Sequence, residues 1–188
     1  MVMVDGTPYR IREDGTVSEG TDDDKLVYAN AVHFQEDDEF EITQTSVSFD
    51  SLQSRVKRQL PSPNYFYAFV IKGKFARIKC GGLTKQERPF VDGLDVLIPN
   101  HPVFNATDVS GTMAGFYCPD FIGNINTKGF HFHFISDDRT FGGHVMEMKT
   151  AGPLVVKMDQ KANYSLQLPD NADFGEVSFE KEFQYKKD

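Results

Sequence analysis

The strongest constraint on this chain is that its aromatic and aliphatic side chains recur at every second position. The pattern runs through YFYAFVI (65–71), GKFARIK (73–79), GTMAGFY (111–117) and FHFHFI (130–135), and more briefly through PLVVKM (153–158) and YSLQL (164–168). A period of two sorts side chains onto the two faces of an extended strand, so each segment is expected as a strand with one face in a core. Turn-forming residues separate them: VDG at 4–6, EDGT at 13–16, KG at 72–73 and TFGG at 140–143. Each is expected to close a hairpin. One helix is predicted after Ser48, where Phe49, Leu52, Val56 and Leu60 follow the three-and-four spacing and PSPN (61–64) stops it. A shorter helix is expected over VDGLDVLI (91–98). The fold class predicted is α/β of the α+β kind, sheet-rich with few helices, in one compact unit.

The formal net charge is −8, concentrated in EGTDDDK (19–25) and QEDDEFE (35–41), which suit solvated loops or strand edges. A surface of that sign repels phosphate, so no nucleic-acid partner is expected. The sequence contains no run of about twenty apolar residues that would span a bilayer. Its start, MVMVDGTPYR, alternates like a strand and lacks the basic and apolar regions of a secretory signal. A cytoplasmic protein without a membrane partner is therefore expected. Cys80 and Cys118 are too few for a disulfide framework and are expected as buried thiols.

Three of the five histidines lie between residues 131 and 144. Along a strand His131 and His133 share a face, while Phe130, Phe132 and Phe134 turn toward the core. SDDRTFGG (136–143) has the length of a hairpin loop and returns His144 on the adjacent strand, about 4.8 Å across. Three imidazoles arranged so can each reach a zinc ion (Zn2+) at about 2.0–2.1 Å and leave a coordination position open, as catalytic rather than structural zinc sites do. The expected chemistry is Lewis-acid catalysis, although imidazole also accepts other divalent transition metals. A single histidine in a strand more often serves structure alone. That bland role is assigned to His33 and His101.

Other polar residues near the cluster have simpler explanations. Asp137, Asp138 and Arg139 suit an exposed turn. Glu147, three residues after His144, falls on the opposite face of a regular strand and is left out of the catalytic set. Gly111 and Gly115 are expected to allow close strand approach, and Gly142 and Gly143 to shape the turn that delivers His144.

The motifs RPFV (88–91), HPVFN (101–105), GTMAGFYCPDF (111–121), GFHFHF (129–134), GGHVMEM (142–148) and LPDNADF (168–174) occur in an order that resembles the α-acetolactate decarboxylase family. The similarity runs from VDGTPYRI to ADF, and H-x-H followed by G-G-H is its most specific part. The resemblance implies two mixed β-sheet subdomains sharing a core, approximately 1–100 and 101–188, with the metal in the second. It also implies a homodimer, and a zinc ion on His131, His133 and His144. The implied substrate is a branched 2-hydroxy-3-keto acid, which loses carbon dioxide through an enediolate to give acetoin.

Three polar positions depart from the family pattern. A family glutamate just before the first Asp-Gly turn would fall ahead of Met1. The family arginine that handles the substrate carboxylate falls at Gly81, and Lys79 on the same strand face is the candidate to replace it, as a point charge without the bidentate fork. A family glutamate near the C-terminus falls closest to Gln184, with Glu180 and Glu182 as alternatives. Two further functions therefore stand beside the decarboxylase: a metal-dependent isomerase or lyase acting on another enolisable carbonyl compound, and a metal- or ligand-binding protein without turnover.

Overall fold

Asp5 and Gly6 both adopt positive φ, 51° and 79°, as a tight two-residue hairpin turn requires. In the computed structural model, which describes residues 1–24, 28–84, 94–123 and 125–175, this turn joins β1 (Val2–Val4) to β2 (Thr7–Ile11). A second turn, closed by the Arg12 N–H donating to the Thr16 carbonyl at 2.9 Å, leads to β3 (Val17–Glu19) and completes a three-stranded antiparallel sheet.

The remaining strands build one antiparallel sheet in the order β4 (Asp38–Ile42), β8 (Gly142–Lys161), β5 (Phe66–Gly81), β6 (Val103–Cys118), β7 (Gly129–Ser136). β7 also pairs with the beginning of β8, from His133 opposite His144 to Ile135 opposite Gly142. The strands β8, β5, β6 and β7 thus form a closed circuit. The sheet-rich α+β class predicted from the alternation is the class observed.

The inner face carries Tyr67, Phe69, Ile71, Phe75, Ile78, Met113, Phe132, Phe134, Leu154 and Val156, all at most 1% exposed. Helix α1 (Phe49–Gln59) closes this core. Ser48 caps it by accepting from the Ser51 N–H at 3.3 Å, Leu52 and Val56 are fully buried, and Phe49 meets Phe132 edge to face. On the outer face, Ile135 is buried with Val2 and Val4 of the small sheet, so that sheet covers the end of β7 next to the histidines.

Two local expectations differ from the structure. Lys72 and Gly73 do not turn the chain, because β5 runs unbroken through them. A Cβ at Gly73 would stand 2.4 Å from Leu154 Cδ2 and 2.8 Å from the Pro153 carbonyl, so this glycine serves strand packing and not reversal. YSLQL (164–168) alternates but pairs with no strand, and Leu166 and Leu168 are exposed. The helix expected over 91–98 is α2 (Leu94–Leu97), and 91–93 lie outside the described residues. A final short helix, α3, covers Ala172–Gly175. Among the described residues no helix is long and apolar enough to cross a membrane.

Candidate metal centre

β7 places its histidines by simple alternation: Phe132 and Phe134 enter the core while His131 and His133 project from the other face. Gly115 lets β7 approach β6 there, since a Cβ on it would lie 2.2 Å from the His131 carbonyl. The register then sets His144 of β8 opposite His133. Opposed residues of an antiparallel pair project to the same side, and the three rings gather with centroids 4.7–5.5 Å apart.

Nε2 of His131 and Nε2 of His133 stand 3.2 Å apart, and one ligating atom from each of the three histidines lies within 4.8 Å of the others. Ligands bound tetrahedrally at 2.0–2.1 Å are about 3.3 Å from one another, so the spacing suits a shared ion. His131 Nδ1 is 3.4 Å from Thr127 Oγ1, whereas the buried Nδ1 of His133 has no hydrogen-bond partner among the described residues.

Burial lowers the pKa of His131. His133 is held well below the ordinary imidazole value, first by desolvation and then by His131 and His144. His144 reaches the surface, yet crowding around its ring desolvates it and, with His131 and His101 nearby, brings its pKa to about 4. Neutral imidazoles offer the lone pairs that a cation needs. Donor set, spacing and protonation all fit a divalent transition metal.

The surrounding residues divide into those the fold brings to this face and those it does not. Lys79 lies on the face of Gly81, but its Nζ is 2.9 Å from Glu147 Oε1, and Glu147 also holds Arg77 at 3.1 Å. The sequence expectation for Glu147 changes accordingly: a register shift between Lys79 and Cys80 brings it opposite Lys79. Gln184, Glu180 and Glu182 lie outside the described residues. Asp138 accepts from Ser136 Oγ at 2.6 Å and from the Thr140 N–H at 3.0 Å, and Arg139 stacks over Tyr9, so this loop is built for its own turn. Cys118 is buried with its thiol pKa raised, and burial pushes the Cys80 thiol up to about 12.

His33 is exposed, as its bland role anticipates. His101 is not so plain. Its ring stands directly against Gly81, the residue opposite His144. No periodicity signals this, because His101 follows α2 in irregular chain.

Residues 1–181 match the family described as alpha-acetolactate decarboxylase. The chain belongs to the α-acetolactate decarboxylase family. Members of this family are carboxy-lyases, as their name states. The α-acetolactate decarboxylase of Bacillus licheniformis is 34% identical over 96% of this chain and 70% of its own length. That of Methanosarcina mazei is 30% identical over 93% of this chain and 59% of its own length. Among solved structures, the α-acetolactate decarboxylase of Bacillus subtilis strain 168 superposes with a TM-score of 0.89 at 32% identity, over 94% of this chain and 74% of that one. This chain therefore spans between about three fifths and three quarters of these decarboxylases.

Proposed function

We propose that the protein is a zinc-dependent decarboxylase that converts acetolactate, a branched 2-hydroxy-3-keto acid, to acetoin, with His131, His133 and His144 as the metal ligands. The observation that carries this reading is the convergence of three neutral imidazoles, on the pair of strands that closes the sheet, in a chain of this family. When bound, the metal supplies Lewis-acid stabilisation of the negative charge that develops on the substrate oxygens as carbon dioxide leaves.

The chain's own residues prepare that site. The small sheet packs Val2 and Val4 on Ile135 beside His133 and keeps water from one side of it. Lys79 adds positive charge to the same face, and takes a substrate carboxylate only by releasing Glu147. Gln184 is placed by this reading near the substrate as a hydrogen-bonding group, since an amide cannot supply a proton. The reading carries with it a cytoplasmic homodimer, with a metal-binding subdomain from about residue 101 onward.

The Lys79–Glu147 pair also favours a second reading. Glu147 engages both Lys79 and Arg77, so neither is free to take an anion, which suits a lyase or isomerase whose enolisable carbonyl substrate carries no carboxylate.

Zinc-loaded protein incubated with racemic acetolactate should form acetoin well above the spontaneous rate, lose that activity on chelation and regain it with zinc. Acetoin at the spontaneous rate from protein that retains its zinc would remove the decarboxylase and leave the second reading.

A further inference from the structure

Gly81 ends β5 on the face from which the histidines project, with His144 as its register partner, so their Cα atoms are about 5 Å apart. The space a side chain would fill at Gly81 is already taken. An ideal Cβ there would lie 2.6 Å from His101 Cδ2, 2.7 Å from His101 Nε2 and 3.1 Å from Met146 Sδ. The edge of the His101 ring that carries Nε2 therefore lies over the strand next to His144.

The ring is fixed in this pose. Nδ1–H donates to the Ile98 carbonyl just beyond α2, and Gly82 N–H donates to the Pro102 carbonyl at 3.1 Å, which ties the His101 segment to the end of β5. Among the described residues, the partner of Nε2 is Met146 Sδ at 3.3 Å, a weak acceptor. A weak partner yields readily to an anionic oxygen, which forms a shorter, charge-assisted bond.

From these contacts we infer that His101 is the residue that recognises the substrate carboxylate, donating from Nε2 across the gap left by Gly81. The inference rests on the metal-site reading above and deepens it. With Nδ1–H on the Ile98 carbonyl and Nε2–H on the carboxylate, both ring nitrogens serve as donors. Lys79, two residues along the same strand, is engaged by Glu147 and stands second to it. The class of ligand selected is a 2-hydroxy acid in preference to the neutral hydroxy ketone that remains after decarboxylation.

The test uses zinc-loaded, full-length protein and two probes that do not react: 2-hydroxy-2-methylpropanoate, which keeps the hydroxyl and carboxylate but has no keto group, and acetoin, which has no carboxylate. Binding is measured by calorimetry beside zinc content and thermal stability. H101F should retain zinc and weaken the acid about tenfold or more, as loss of one charge-assisted bond implies, while acetoin binding stays within about twofold. H101Q, which keeps an N–H donor without charge, should fall between. Gly81→Ala leaves the imidazole in the chain but drives it from its place, and should reproduce the selective loss even if H101F does not fold.

Unchanged acid binding in zinc-loaded H101F or G81A overturns the inference, as does an equal loss of both probes or wild-type protein that binds zinc but not the acid. Wild-type protein that binds the acid selectively through His101 yet forms no acetoin would sink the decarboxylase and uphold the recognition.

Discussion

His133 shows how strongly position sets the chemistry of a residue. Its ring is nearly enclosed, lacks a partner on Nδ1 among the described residues and has two other imidazoles for neighbours, all of which oppose a proton. His131 and His144 are shifted the same way, His144 to about 4. Unfolded imidazole titrates near 6.5, so below that pH the unfolded chain takes up protons that the folded one refuses. The stability linked to these rings is therefore present above about pH 6.5 and is lost as pH falls toward the folded values. In zinc-free protein the melting temperature should decline between pH 6.5 and about 4, a window largely above the lowered carboxylate values of Asp138 and Asp14. His144→Gln should flatten that slope. An equal decline with and without His144, followed by differential scanning fluorimetry, would separate the effect from this ring.

At the scale of elements, the strands were legible wherever alternation met a core. FHFHFI sent its phenylalanines inward and its histidines outward as its letters require, and α1 formed where Ser48, Leu52 and Val56 placed it. What was hidden depends on partners far away in sequence. Gly73 looks like a turn until Leu154 is seen against it, Tyr164 to Leu168 alternates without any edge to join, and Glu147 changes face through a bulge. His101 was missed for the same reason, since its importance comes from the absence of a side chain at Gly81. Gly143 gives the elemental test. In register with Phe134, it would place a Cβ 2.6 Å from Cys80 Cβ and 2.8 Å from Phe104 Cε2. Gly143→Val should force β8 away from β5, costing about 1–3 kcal/mol and lowering zinc content because His144 follows directly. Chemical denaturation and metal analysis of the variant check both halves, and full zinc occupancy would show that the turn does not position His144.

For the whole molecule, the metal site and the closure of the sheet are the same structural event. β7 reaches β8 only through the register pairs from His133–His144 to Ile135–Gly142, a short ladder beside the long β5–β6 and β5–β8 ones. An ion held by His131 and His133 on one strand and His144 on the other would bridge that ladder. It binds the folded chain, in which the three nitrogens converge, far better than the unfolded one, and so acts on the global equilibrium. At free zinc about 100 times the dissociation constant the gain is about 2.7 kcal/mol, or roughly 5–10 °C in melting temperature for a chain of this size. Chelation should remove that increment from the wild type. His133→Ala should lower stability without zinc and abolish the increment, whereas His33→Gln, altering an exposed histidine elsewhere, should keep it. Hydrogen exchange adds a spatial requirement: zinc should protect amides of β7 and the first residues of β8 more than those of the β1–β2 hairpin. Uniform protection, or a thermal shift that survives His133→Ala, would mean that zinc acts somewhere other than the seam between these two strands.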